Sequence, residues 1–85
     1  MMWDLIYSPD ARAWLKSSQL LISQRIVRKL EDTRENPHHF FEKLVGLPYY
    51  KLRVGDYRVI ADLQGKIQII AVLRIEHRKK VYIEI

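Results

Sequence analysis

The chain has 85 residues, with 15 Lys or Arg against 10 Asp or Glu and a net charge of +5. That length fits one domain, 1–85, with a small core, and the absence of cysteine excludes disulfide staples and thiolate metal sites. The basic balance points toward a polyanion such as nucleic acid, and the lack of cysteine suits a reducing, cytoplasmic setting.

"WDLIY", residues 3–7, alternates and is rich in aromatic and branched side chains, which predicts a first strand. Asp4, Asp10 and Arg12 interrupt the opening stretch, so neither a secretory signal nor a membrane span is expected there. Ser8-Pro9-Asp10 combines a hydroxyl N-cap, a proline at the first helical position and an acid in the first turn. The helix it starts runs over about 9–16, with Ala11, Trp14 and Leu15 inward. Ser17-Ser18 breaks this helix and is expected to cap the next. That second helix, about 19–34, turns Ile22, Ile26, Val27 and Leu30 to the core at helical spacing. Arg25, Arg28, Lys29 and Arg34 fall on its other face. The short link predicts an antiparallel helix hairpin. Pro37 ends the second helix by pushing the preceding residue out of the α region. A proline-bounded loop follows, which Phe40, Phe41 and Leu44 are expected to pin to the core.

After Pro48 the period switches to two, and strands are predicted over 49–54, 57–62 and 66–74. Gly55-Asp56 suits a two-residue II′ turn. Val54 then opposes Tyr57, Leu52 opposes Val59 and Tyr50 opposes Ala61, all facing the helices. Arg53 meets Arg58 on the other face, an arrangement that destabilises a strand pair. The second turn is read as Leu63-Gln64-Gly65, with Gly65 left-handed in a G1 bulge. This sets Asp62 opposite Lys66 and puts Ile67, Ile69 and Ala71 on the core face. Gln68, Ile70, Val72 and Arg74 join Lys51, Arg53 and Arg58 on the outer face. Four cations on one small face suit an anion, and the planar fork of Arg suits phosphate; the plain alternative is a solvated face whose long side chains cover apolar surface.

Few chemistries survive this inventory. His38 and His39 are adjacent and diverge, and His77 stands alone, so no metal site or cofactor is expected. No glycine-rich phosphate loop is present. Ser8, Ser17, Ser18 and Ser23 lie at helix starts or within a helix, where capping is the commoner role than a hydrolase triad. Phosphoryl chemistry without metal remains open, with the ribose 2′-OH as nucleophile and the protein supplying position, cations and proton transfer. His77, Arg78 and Tyr82 in "EHRKKVY" are candidates for that work. Their plain readings are a surface histidine and a core tyrosine.

"KLVGLPYYKLRVGDYRVIADL" followed by "IIAVLRIEHRKKVYI" resembles the RelE toxins of the RelE/ParE superfamily, over nearly the whole chain. The resemblance implies an α+β fold: an N-terminal strand and a helix pair packed on a curved, mainly antiparallel sheet. It implies the toxin of a type II toxin–antitoxin system, a ribosome-dependent mRNA endoribonuclease that cleaves in the A site through the 2′-OH. A RelB-like antitoxin, ribosomal RNA and mRNA are the implied partners, with an oligomeric toxin–antitoxin complex and no membrane. By position, Arg58 matches the arginine that stabilises charge at the scissile phosphate, Arg78 the tail arginine and Tyr82 the substrate-contacting tail tyrosine. Lys51 and Arg53 match the basic residues of the preceding strand; Arg74 and His77 are further substrate-binding candidates. Well-known members carry two lysines at alternate positions of that strand, and Tyr49 stands at the earlier one. Lys51, Tyr82 and His77 thus all remain candidate bases. The rivals are a ParE-like gyrase poison, against which the Arg78–Tyr82 pair weighs, and a weakly catalytic RNA- or antitoxin-binding module.

Overall fold

A computed structural model describes residues 2–78. In chain order the elements are β1 (Asp4–Tyr7), α1 (Pro9–Ser17), α2 (Leu20–Asp32), α3 (Pro37–Phe40), β2 (Glu42–Lys43), β3 (Tyr50–Val54), β4 (Tyr57–Gln64) and β5 (Ile69–His77). The strands form one sheet in the order β1-β5-β4-β3-β2. β1 runs parallel to β5, and every other pair is antiparallel. The result is the expected α+β architecture, and β2 is a strand that periodicity did not reveal.

Ser8 caps α1 as expected: its Oγ accepts from the Ala11 N–H at 3.0 Å. The same hydroxyl donates to the Leu73 carbonyl of β5 at 2.7 Å, tying the start of the helix to the sheet. Ser18 does not cap α2. Its N–H and its Oγ both donate to the Trp14 carbonyl, so it closes α1 instead. Gln19 precedes α2 without a side-chain cap. Ser23 joins the helices by donating to the Leu15 carbonyl at 2.6 Å. α2 ends before Arg34, whose Nε donates to the Trp3 carbonyl at 2.7 Å. Ile26 and Leu30 are fully buried; Ile22 is half-buried against them.

The β3–β4 hairpin has the register read from its turn, with Val54 opposite Tyr57, Leu52 opposite Val59 and Arg53 opposite Arg58. Gly55 has φ +60, whereas Asp56 does not enter the positive region, as a II′ turn requires. A Cβ on Gly55 would lie 3.0 Å from both Arg25 Nη atoms, so the guanidinium lies directly against the turn.

The β4–β5 register differs from the expectation. β4 continues to Gln64, and residues 65–68 make the turn, with the positive φ at Gln68 (+53) rather than at Gly65. Asp62 therefore opposes Ala71, not Lys66. Ile70 and Val72 are fully buried, while Ile67 is 62% exposed. The stretch "IQIIAV" is apolar at both parities, so alternation could not choose between registers one residue apart. A bulge then leaves Leu73 unpaired between Val72, opposite Ala61, and Arg74, opposite Ile60. It restores the parity: Ile75 enters the core, and Arg74 shares the outer face with Arg58 after all. Of the three apolar residues expected to pin the 37–48 stretch, only Phe41 is buried; Phe40 is exposed, and Leu44 is half-buried.

Candidate nucleic-acid interface

β3 and β4 carry the basic residues in alternation, which places Lys51, Arg53 and Arg58 on the sheet face away from Leu52 and Val59. The Arg78 N–H donates to the Asp56 carbonyl at 2.8 Å, so the residue after β5 is fastened to the hairpin turn. These four cations line one groove of about 530 Å³. Lys29 of α2, His39 and Phe40 of α3 and Glu42 of β2 complete its lining with Leu52 and Tyr57. The like charges predicted at the Arg53–Arg58 pair are thus gathered around a concavity.

Sequence reasoning missed Glu76. It lies opposite Arg58 on β5. Its Oε1 accepts from Arg58 Nη2 at 3.0 Å, and its Oε2 lies 3.5 Å from Arg74 Nε. The side chains of Arg58 and Glu76 are 33% and 18% exposed, so the pair is shielded without being buried. Arg58 Nε is buried and without a hydrogen-bond partner among the described residues. One edge of the guanidinium is therefore held by a carboxylate, while its residue lines the groove. Placing Glu76 opposite Arg58 needs the β4–β5 register and the bulge at Leu73, which no local motif marks.

The remaining candidates lie elsewhere. Arg74, 66% exposed in its side chain, sits on the outer face beside Glu76 and does not line the groove. His77 is half-buried, opposite Tyr57, with the two rings edge to face at 5.0 Å. Tyr57 in turn meets Trp14 of α1. Tyr82 lies outside the described residues. Tyr49, at the position of the expected lysine, is part-exposed and does not line the groove. Among the described residues no three His, Asp or Glu side chains cluster as a metal-ligand set. None of the described helices is long and apolar enough to cross a membrane.

Three solved toxin–antitoxin complexes share this architecture. The RelBE2 toxin–antitoxin complex of Mycobacterium tuberculosis matches with a TM-score of 0.84 at 20% identity, over 92% of this chain and 100% of that one. The archaeal RelE–RelB complex of Pyrococcus horikoshii matches at 0.77 and 25% identity, over 92% and 97%. The RelB–RelE complex of Methanococcus jannaschii matches at 0.71 and 26% identity, over 91% and 94%. No curated relative matches the chain. The family model described as ParE toxin of type II toxin–antitoxin system, parDE, matches residues 5–82. The chain therefore belongs to the RelE/ParE superfamily of type II toxin–antitoxin toxins.

Proposed function

We propose that this toxin cleaves mRNA in the ribosomal A site, without metal, by attack of the ribose 2′-OH on the adjacent phosphorus. The observation that carries the reading is the convergence of Lys51, Arg53, Arg58 and Arg78 on one groove. The superfamily includes ribosome-dependent ribonucleases. In the reaction the 2′-oxygen loses its proton to a base and bonds to phosphorus. The 5′-oxygen of the next nucleotide leaves and takes up a proton, and a 2′,3′-cyclic phosphate remains. Arg58 is assigned to the charge that builds on the phosphoryl oxygens, where a preorganised cation acts most strongly. Arg78 and Arg53 hold the flanking backbone. Of the three candidate bases, Lys51 lines the groove and His77 does not. So small a domain offers little surface to align a strand of RNA, and the ribosome supplies that alignment. Arg74, exposed beyond Glu76, is assigned to ribosomal RNA, where a phosphate contact makes docking salt-dependent.

The partner in the cell is a RelB-like antitoxin. Related toxins were crystallised with theirs, and a basic groove suits an acidic or amphipathic helical segment. Hydrogen exchange with and without antitoxin is expected to show protection over the groove or the chain beyond Arg78.

A gyrase poison is the second reading, favoured by the ParE description of the matching family model. Induced expression in a translating extract, with primer extension of mRNA 5′ ends, separates the two. Discrete new ends within codons support mRNA cleavage. Intact mRNA alongside arrested DNA replication supports the gyrase reading.

A further inference from the structure

Phe40 and Phe41 are neighbours with opposite fates. Phe41 is 5% exposed and belongs to the core, whereas Phe40 is 36% exposed. Phe40 closes the short α3 helix and lines the same groove as Lys51, Arg53, Arg58 and Arg78. Lys29 Nζ lies 5.0 Å from its ring centroid, and the His39 ring meets it edge to face at 5.1 Å. An apolar ring left partly in water forgoes the stabilisation that burial gives. The ring has Lys29 over it and shares its groove with four more cations instead of being turned into the core with its neighbour.

Cations alone grip the phosphates of any sequence. Bases of a single strand need a flat apolar surface, and aromatic rings beside a basic track provide it. A groove of about 530 Å³ lies in the range that holds a small organic ligand, so one nucleotide fits with its base and its phosphate together. We propose that Phe40 is the stacking platform for one unpaired nucleobase of the RNA whose backbone is held by Arg58 and Arg78. This rests on the mRNA-cleavage reading and adds to it a base-binding subsite on the α3 wall. Lys29, drawn over the ring in the free protein, is placed to move to a neighbouring phosphate when the base arrives. A purely structural Phe40 would only cover the Lys29 stem and hold α3 against α2. Leucine would serve that purpose, since it keeps the apolar bulk and loses only the aromatic face.

The test is single-turnover and steady-state cleavage on ribosomes programmed with mRNA that carries an abasic nucleotide at each A-site codon position in turn. Wild type, Phe40→Leu and Phe40→Trp are compared, with thermal melts of each. On intact mRNA, Phe40→Leu is expected to raise KM about tenfold with kcat nearly unchanged, and Phe40→Trp to stay near wild type. At one abasic position wild type loses the same factor, and Phe40→Leu adds nothing further. The proposal is overturned if the leucine variant matches wild type, if tryptophan fails as leucine does, or if the loss persists at every abasic position. Cleavage by wild type without that coupling refutes the platform alone. No cleavage by wild type on any programmed ribosome refutes the parent reading, and the platform with it.

Discussion

Replacing Arg58 by alanine separates the chemistry assigned to the groove from the stability of the sheet that carries it. Two structural terms oppose each other. The variant loses the 3.0 Å pair with Glu76, whose partners are 33% and 18% exposed. Such a pair falls between exposed ones, worth under about 1 kcal/mol, and buried ones, whose breakage costs roughly 3–5 kcal/mol. The substitution also relieves the cross-strand repulsion with Arg53, worth about 0.5 kcal/mol. Glu76 keeps Arg74 at 3.5 Å, so its carboxylate is not stranded. The net cost is about 1 kcal/mol, or roughly 4–8 °C in Tm for a domain of this size. In the transition state the loss of one preorganised cation costs about 3 kcal/mol, roughly a hundredfold in rate. Urea denaturation gives the first quantity, and single-turnover cleavage on programmed ribosomes, with toxin in excess, gives the second. The rate should fall far more than the stability. A folded Arg58→Ala variant that cuts at the wild-type rate would refute the assignment of Arg58 to the phosphate.

Tyr7 carries a buried hydroxyl without a hydrogen-bond partner among the described residues, and burial first, then Glu31, push its pKa up against the opposing pull of Arg34. The folded state thus holds this proton longer than the unfolded chain does. Its contribution to stability is complete below about pH 10 and is lost as pH rises through the folded value; Tyr7→Phe should be close to neutral at pH 7 and flatten that alkaline limb in denaturation titrations. Gly55→Ala forces a side chain into positive φ against Arg25 and should cost about 1–2 kcal/mol by urea melts, with the hairpin amides losing the most exchange protection. Ser8→Ala removes both the α1 cap and the bond to Leu73 and should cost about 1–2 kcal/mol, while Ser8→Thr keeps most of the stability.

The elements whose chemistry is local were legible in the sequence. Ser8-Pro9-Asp10 starts α1 because a hydroxyl acceptor and a fixed φ act within one turn. Gly55-Asp56 set the β3–β4 register because a two-residue loop leaves no freedom. The β4–β5 register was not legible, since residues 67–72 are apolar at either parity and the Leu73 bulge shifts the count a second time. Arg74 lies on its expected face only because that shift undoes the first. Glu76 escaped notice for the same reason: its place beside Arg58 depends on a bulge that no local motif marks. Phe40 and Phe41 looked alike in sequence, but α3 ends at Phe40 and the chain turns extended at Phe41, so the two adjacent rings face different ways. Of the expected site, β3, β4 and the residue after β5 bring Lys51, Arg53, Arg58 and Arg78 together, whereas Arg74 and His77 stand apart from the groove.

Ribosome-dependent cleavage through the 2′-OH is decided by mass spectrometry of the products formed in a single turnover on programmed ribosomes, beside the same mRNA free in solution. Magnesium is held at the level the ribosome itself requires, and chelator is titrated only against metal added beyond it. Cutting is expected on the ribosome alone, unaffected by that chelator, with 2′,3′-cyclic phosphate or its opened form at the new 3′ ends. Efficient cutting of free mRNA, or 3′-hydroxyl ends, would contradict that mechanism.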